Sequence, residues 1–263
     1  MDKKIRTAII LCGGRGTRLG NITKKIPKSL VKVQGKEILW YIIQFLKINN
    51  FKHLILPLGY RSNLIKSFLK KNNNFQIKID TINTGSNTYI GKRLNIISNY
   101  VISNNFLLIN GDTILNFNLK KIFDIHTKKK NSTTFISGEI IYPFGTIGIE
   151  NKKIKDFTRY LKYDALNVRK RNGYTAFNFI GASIINLKSF LKAKKYFKGS
   201  KNFEADFYSR IIRKEKTGLI KPKGFWHAVD NIKDLKAANT NDIFPNKFYL
   251  IKKLKNKLIK YKI

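Results

Sequence analysis

A glycine-rich segment with fixed positive charges lies near the start of the chain. The stretch "CGGRGTRLG" brings together Gly13, Gly14 and Gly16, and Arg18 follows directly after Thr17. Lys28 comes ten residues after Arg18. Free backbone N–H groups in such a turn, next to cationic side chains, form a cradle for phosphate oxygens. The segment therefore predicts a phosphate-containing ligand, and a simple tight exit from a strand is the alternative.

Two common phosphate-binding fingerprints do not match this segment. The dinucleotide pattern GxGxxG, begun at Gly14, requires a glycine where Leu19 stands. The P-loop requires Gly-Lys followed by Ser or Thr, and no such triplet occurs in the chain. The predicted cradle therefore belongs to another kind of phosphate site.

The first half of the chain alternates between strand-like and helix-like segments. Apolar runs at residues 6–12, 53–59, 75–80 and 105–110 are typical of strands, and helical spacing of apolar residues marks 37–49, 61–72, 89–101 and 118–129. This alternation predicts an α/β fold with a Rossmann-like, mostly parallel sheet flanked by helices. Later segments predict a smaller mixed β half, with helices over 202–214 and 232–239. One domain is expected over residues 1–240.

The order of these elements predicts where a ligand binds. In open α/β sheets, ligands bind at the carboxyl ends of the strands. The glycine-rich segment follows the first strand, and Gly111 and Asp112 follow the fourth. We expect both to face the same crevice.

The same residues resemble a known family. "GGRGTRLG" followed by "IPKSLVKVQGKEIL" resembles the signature of sugar-1-phosphate nucleotidylyltransferases, and "FLLINGDTI", "FGTIG" and "GFWHAVDNIKDL" follow in that family's order. The match extends from residue 5 to about 239, and "NTG…GKRL" with "GFWxxxD" is most similar to glucose-1-phosphate cytidylyltransferases. The resemblance implies the transfer of a nucleotidyl group from a nucleoside triphosphate, with CTP favoured, to a hexose 1-phosphate, with glucose 1-phosphate favoured. Pyrophosphate is released, and the product, CDP-glucose, is expected to serve polysaccharide synthesis.

The resemblance implies roles for the nucleotide end of the site. Arg18 would hold the departing phosphates, Lys28 would lie near the α-phosphate, and Asp112 is the third catalytic residue. Asp112 and Asp230 would together bind Mg²⁺; turn capping is the alternative for either aspartate alone. The residues implied to contact the nucleotide are Leu11, Gly13, Gly14, Gly16, Thr17, Thr84, Gly85 and Gly111.

Sugar recognition is expected from the second half. The resemblance implies that Gly145 lets the backbone approach the hexose, that Asn178 bonds its hydroxyl groups and that Trp226 lies beside the ring. A core aromatic is the alternative for Trp226. The family's Glu-Lys-Pro element is absent, and Lys162 or Arg159 stands in for its lysine. Other bases (dTTP, UTP or GTP), other acceptors (a heptose or amino sugar phosphate) and an inactive binding or regulatory protein remain open alternatives.

The chain is strongly basic, with 53 Lys and Arg against 15 Asp and Glu and a formal net charge of +38. One interpretation is an anionic partner such as nucleic acid. The other is compositional drift, because Lys, Asn and Ile are enriched together along the whole chain. The even scatter of basic residues favours drift, so no specific nucleic-acid partner is expected.

The cysteine count and the hydropathy of the chain bear on the cellular compartment of the protein. Cys12 is the only cysteine, which rules out an internal disulfide, and no segment reaches the roughly 20 apolar residues of a membrane span. A cytoplasmic homo-oligomer is expected. Residues 241–263 predict a basic amphipathic C-terminal helix, for which packing against the core or another subunit is favoured over docking on a membrane surface.

Overall fold

A computed structural model describes residues 6–141, 145–159, 161–163, 165–168 and 174–240, and the predicted C-terminal helix at 241–263 lies outside them. Within these residues the strands are β1 (Thr7–Leu11), β2 (Lys32–Val33), β3 (Lys36–Glu37), β4 (His53–Leu58), β5 (Lys78–Asn83), β6 (Asn105–Asn110), β7 (Thr113–Phe117), β8 (Thr133–Ser137), β9 (Ile140–Ile141), β10 (Gly145–Glu150), β11 (Lys153–Arg159), β12 (Lys162–Tyr163), β13 (Ala165–Val168), β14 (Tyr174–Phe177), β15 (Phe179–Asn186), β16 (Thr217–Ile220) and β17 (Gly224–Ala228). The α-helices are α1 (Asn21–Lys25), α2 (Ile38–Ile48), α3 (Ser62–Lys71), α4 (Ile90–Ile97), α5 (Leu119–Lys128), α6 (Leu187–Phe197), α7 (Ser209–Lys214) and α8 (Ile232–Asn239).

A seven-stranded sheet forms the centre of the molecule. Its strand order is β16-β8-β15-β6-β1-β4-β5, and only β15 runs antiparallel to its neighbours. This confirms the predicted mostly parallel sheet. The short pairs β10–β11, β9–β12 and β13–β14 make up the predicted smaller β half. Strand β15 follows this half directly and enters the sheet antiparallel to β6 and β8. A parallel strand at this place would need a crossover connection back to the other end of the sheet.

Helices cover both faces of the sheet, as predicted. Side chains alternate along β1, so that Ile10 packs in one apolar core and Ile9 in the other. The first core receives α2, α3 and α5, and the second receives α4, α6 and α7. Because both faces are buried, ligands have access at the strand ends.

A two-stranded ribbon outside the sheet joins two distant parts of the chain. Strands β7 and β17 pair antiparallel, with Thr113 opposite Ala228. The pairing continues one step further, since the Val229 N–H donates to the Asp112 carbonyl oxygen at 3.0 Å. Asp112, just before β7, and Val229, just after β17, are thereby fixed, and Asp230 lies beside Asp112.

Some predicted elements differ in the structure. The third strand, predicted at 75–80, spans Lys78–Asn83, because residues 73–76 form a tight turn with positive φ angles and Phe75 packs on Phe68. Helix α6 was not predicted. The helix expected over 202–214 begins as a π-helical turn, Glu204–Tyr208, before α7. No helix in the described ranges has the length and apolar character needed to cross a membrane.

Candidate active site

The predicted crevice exists at the carboxyl ends of two adjacent strands. Strands β1 and β6 pair in parallel with Leu11 opposite Asn110, so the segments that follow them leave the sheet side by side. Between them lies a pocket of about 330 Å³. The predicted residues that line this pocket are Leu11, Gly14, Gly16, Thr17, Arg18, Lys28, Gly111 and Asp112.

Four charged side chains meet at this pocket. The Lys28 ammonium donates to Asp112 Oδ2 at 2.5 Å and to Asp230 Oδ1 at 2.8 Å. Arg18 Nη1 lies 3.2 Å from the second oxygen of Asp230. Only 14% of the Lys28 side chain is exposed. The four residues that the sequence singled out for phosphate and metal chemistry therefore form one ion-pair cluster.

The cations keep one carboxylate of this cluster ionised. Partial burial raises the pKa of Asp230, but the hydrogen bond and charge of Lys28, together with Arg18, outweigh burial and hold that pKa below its ordinary value. Asp230 therefore carries its negative charge at neutral pH.

The carboxylate pair fits a magnesium ion. An ammonium already lies between the two carboxylates, so their spacing accommodates a cation. Oxygen donors are the ligands that Mg²⁺ prefers, and an ion held by two carboxylates completes its shell with phosphate oxygens and water. In the part of the chain that the structure describes, no group of three or more His, Cys, Asp or Glu side chains could hold a metal. A metal here would therefore depend on Asp112, Asp230 and the substrate.

The three glycines after β1 differ in whether the surrounding protein would tolerate a side chain at their positions. A Cβ at Gly13 would lie 2.6 Å from the Pro57 carbonyl oxygen and would overlap the Arg93 guanidinium. Gly16 has a φ of +64°, and a Cβ there would lie 2.7 Å from Lys28 Cβ. Among the residues that the structure describes, a Cβ at Gly14 would meet no atom within 4 Å. The protein itself therefore requires two of the three glycines, whatever ligand the segment binds.

Arg93 is a structural residue of the site that the sequence alone did not reveal. It lies on α4 with 4% of its surface exposed. Its guanidinium donates to the carbonyl oxygens of Gly13 (3.0 Å), Leu58 (3.2 Å) and Thr88 (2.9 Å) and to the Thr84 hydroxyl (2.5 Å). Arg93 thus links the carboxyl ends of β1, β4 and β5 through its hydrogen bonds. The sequence signal was an arginine between buried Gly91 and Leu94 in an otherwise apolar helix face.

Thr84 takes part in the network around Arg93. Its hydroxyl donates to the Leu58 carbonyl oxygen at 2.8 Å and accepts the bond from Arg93, and only 5% of the residue is exposed. The hydroxyl is therefore engaged inside the protein, and a contact of Thr84 with the nucleotide stays a prediction. Gly85 follows with a φ of +89°, which any residue other than glycine adopts at a cost.

Three of the residues predicted to bind the sugar contact residues 138–139. Trp226, half-buried on β17, donates its indole N–H to the Glu139 carbonyl oxygen at 2.7 Å. Lys162 Nζ lies 3.5 Å from the Glu139 carboxylate. The Asn178 main-chain carbonyl oxygen accepts from the Gly138 N–H at 3.2 Å. The side-chain nitrogen of Asn178 is buried and has no hydrogen-bond partner among the described residues. These residues form a second cluster, which the β7–β17 ribbon connects to the aspartates.

Gly145 lies in the β10–β11 hairpin. It begins β10, opposite Arg159, and is exposed; a Cβ there would overlap the Phe157 ring. Its glycine identity is therefore explained by packing within the hairpin.

Glu204 is a further acidic residue near the pocket that the sequence did not indicate. It begins the π-helical turn, a conformation that is frequent at functional sites. Although the residue as a whole is exposed, partial burial of its carboxyl group and the negative charge of Asp112 both raise the pKa of Glu204. The two carboxylates therefore lie within electrostatic range of each other.

Comparisons with known proteins place this architecture in a family. The family model "Nucleotidyl transferase" matches residues 7–243. A relative from Bacillus subtilis, "Probable glucose-1-phosphate cytidylyltransferase", is 28% identical over 252 residues, which are 88% of this chain and 94% of that protein. A Campylobacter jejuni D-glycero-alpha-D-manno-heptose 1-phosphate guanylyltransferase is 33% identical over 120 residues, 44% of this chain and 51% of that protein.

A solved structure has the same fold. A putative glucose-1-phosphate thymidylyltransferase from Bacillus anthracis superposes with a TM-score of 0.69 at 20% identity, over 89% of this chain and 94% of that one. The family model spans most of the chain, and the resemblance read from the motifs is confirmed. The chain therefore belongs to the nucleotidyl transferase family, in the group of sugar-1-phosphate nucleotidylyltransferases, and is an enzyme.

Proposed function

We propose that this enzyme transfers a cytidylyl group from CTP to glucose 1-phosphate, giving CDP-glucose and pyrophosphate. The observation that carries the chemistry is the cluster of Lys28, Arg18, Asp112 and Asp230 at the mouth of a glycine-lined pocket. The choice of base and sugar is supported by the name of the Bacillus subtilis relative, which matches along nearly its whole length.

The chemistry requires positioning and charge neutralisation. An oxygen of the sugar phosphate attacks the α-phosphorus, the bond from that phosphorus to the bridging oxygen breaks, and pyrophosphate leaves with the electron pair. Such a displacement needs no covalent enzyme intermediate. Arg18, 73% exposed at the rim, suits the outer phosphates because its planar fork matches paired phosphate oxygens. Lys28, deeper in the pocket, suits the α-phosphate, where charge develops.

Asp112 and Asp230 are the proposed ligands of Mg²⁺. When bound, the ion would neutralise part of the charge of the triphosphate. The sugar would lie on the far side of the aspartates, toward the cluster of Trp226, Asn178 and Lys162. This placement uses the β7–β17 ribbon, which carries Trp226 and ends next to Asp230.

The test is a panel of nucleoside triphosphates against sugar 1-phosphates, with released pyrophosphate as the readout. We expect the CTP and glucose 1-phosphate pair to give the highest rate with Mg²⁺. Asp112→Asn and Asp230→Asn should each lower that rate by at least about 100-fold, on the scale of losing a group that stabilises the transition state. Asp124→Asn is the matched control, because Asp124 pairs with Arg6, away from the pocket.

The panel also tests a second candidate function, the transfer of a guanylyl group to a heptose 1-phosphate. The heptose guanylyltransferase shares 33% identity over its matched segment, and the chain lacks the Glu-Lys-Pro element. Turnover of GTP with a heptose 1-phosphate, and none of CTP with glucose 1-phosphate, would replace the substrate assignment. Absence of pyrophosphate from every pair would refute the proposed reaction.

A further inference from the structure

The Lys28 ammonium occupies the position that a cation bound by the two aspartates would take. It contacts one oxygen of Asp112 and one of Asp230, at 2.5 and 2.8 Å. A divalent ion held by both carboxylates needs the same space and the same oxygens. Lys28 and a metal ion therefore compete for one site.

The charges of the cluster favour the ammonium when no substrate is bound. Within the ion pairs themselves, Lys28 and Arg18 supply two positive charges and Asp112 and Asp230 supply two negative ones, so these four side chains balance one another. The Glu204 carboxyl group acts on Asp112 only through its charge and takes no part in these ion pairs. A divalent ion added alone would leave an excess of positive charge in a partly buried pocket, where charges are poorly screened. A triphosphate that enters with the ion brings the missing negative charge.

The local structure lets the ammonium move without the backbone. The start of the Lys28 side chain packs closely against Gly16, where an added Cβ would lie 2.7 Å from Lys28 Cβ. Beyond that contact, the flexible stem of a lysine can swing its head group. Lys28 lines the same pocket as Gly14 and Thr17, so the ammonium reaches the proposed phosphate position by side-chain rotation.

We propose that Lys28 fills the cation site of the free enzyme and that the divalent ion enters together with the triphosphate, as the ammonium moves from the aspartates to the phosphate. This inference rests on the proposed function and deepens it, since it makes the metal–triphosphate complex, and not the free metal, the ligand that the enzyme recognises. Lys28 then has two successive partners, the carboxylates and the phosphate.

The experiment measures Mn²⁺ binding without nucleotide, by the electron paramagnetic resonance signal of the free ion. Lys28→Met vacates the site, so we expect the variant to bind Mn²⁺ at least tenfold more tightly than the wild type. Arg15→Met is the matched control: it removes a positive charge from the glycine-rich segment, but Arg15 bonds Asn87 and lies over the Tyr60 ring instead of contacting the aspartates. It should change Mn²⁺ affinity by less than about threefold, as expected for a screened charge.

A second measurement uses a triphosphate analogue with a non-hydrolysable α–β linkage. The analogue should tighten Mn²⁺ binding to the wild type by a larger factor than to Lys28→Met, in which the competing ammonium is already absent. Lys28→Gln, checked by circular dichroism, replaces the methionine variant if that one does not fold.

Two results would overturn the inference and separate it from the proposed function. Equal Mn²⁺ affinity of wild type and Lys28→Met, with the wild type active in the pyrophosphate assay, refutes the exchange and leaves the reaction standing. No Mn²⁺ binding to either protein, with or without the analogue, refutes both the exchange and the assignment of the aspartates to a metal.

Discussion

The three glycines of the opening loop can be separated experimentally. Gly13 is confined by Pro57 and Arg93, and Gly16 by its φ and by Lys28, whereas Gly14 faces open space in the pocket. Gly14 is therefore the position at which a side chain would meet only a ligand.

We predict that Gly14→Ala leaves stability unchanged but lowers turnover, with a higher KM for the triphosphate. Gly13→Ala and Gly16→Ala should both lower the free energy of unfolding, by about 1 to 3 kcal/mol, because each adds a clash or a strained φ. Urea unfolding and pyrophosphate release, measured on all three variants, give the two quantities. An unchanged KM in Gly14→Ala would mean that no nucleotide packs against this residue.

Arg93 gives a second prediction at the same scale. Replacing it with methionine removes a donor from the Thr88 carbonyl oxygen and leaves the Gly13 and Leu58 carbonyl oxygens with only their bonds from Tyr60 and Thr84. The links between the three segments are lost, so we expect a loss of about 2 to 4 kcal/mol of stability. The Arg93→Lys variant should recover only a small part of that loss, because one ammonium cannot span acceptors that a guanidinium fork reaches together. Urea midpoints of Arg93→Met and Arg93→Lys provide the measurement. A stable Arg93→Met variant would show that the loops hold their positions without it.

Among the secondary-structure elements, the β7–β17 ribbon does most to position the site. Its register sets Asp112 and Asp230 side by side, and its Trp226 faces Glu139 in the second cluster. Two proposed subsites are thereby carried on one rigid element. A capping box from Asn231 and Asp234 starts α8 directly after Asp230 and fixes the end of the ribbon.

Helix α5 contributes a pH-sensitive contact at the opposite end of the sheet. His126, with 1% of its surface exposed, accepts at Nδ1 from the Thr134 hydroxyl (2.8 Å) and donates from Nε2 to Asn105 Oδ1 (3.1 Å). Burial lowers the pKa of His126 to about 4. The folded protein therefore keeps this imidazole neutral at pH values where the unfolded chain protonates it.

The sign of the effect follows from linkage. Between the ordinary pKa of histidine and about 4, the unfolded state binds a proton that the folded state excludes, so stability falls as the pH decreases. We predict that His126 accounts for about 2 to 3 kcal/mol of the stability lost between pH 7 and pH 4.5. His126→Gln should show a correspondingly flatter pH dependence in urea unfolding. Parallel curves for the two proteins would contradict the prediction.

For the whole molecule, the net charge of +38 has a consequence that does not depend on the active site. A surface with this excess should bind polyanions through counterion release, without regard to sequence. We predict that affinity for duplex DNA falls at least about 100-fold between roughly 50 and 200 mM salt and is the same for unrelated sequences. Fluorescence anisotropy measures both. Tight, sequence-selective binding at the higher salt would indicate a specific nucleic-acid partner.

The sequence was sufficient for the elements whose signals are local. Period-3.6 patterns marked α2 and α3, and apolar runs marked β1, β4 and β6, because each buries one face or both faces against the core. It failed at β5 and at the start of the helix near residue 204, where a buried Phe75 turn and a π-helical turn depend on packing with other elements.

The residue types of the proposed catalytic cluster were also present in the sequence, as Arg18, Lys28, Asp112 and Asp230 in a recognisable order. Their separations, the ammonium between the carboxylates and the Arg93 support under the glycines were decided by the tertiary structure. The physical reason is that these contacts join loops whose strands are neighbours in the sheet but distant along the chain, and that they depend on the register of the β7–β17 ribbon. Such distances are set by how the sheet and its helices pack, and no local pattern along the chain encodes them.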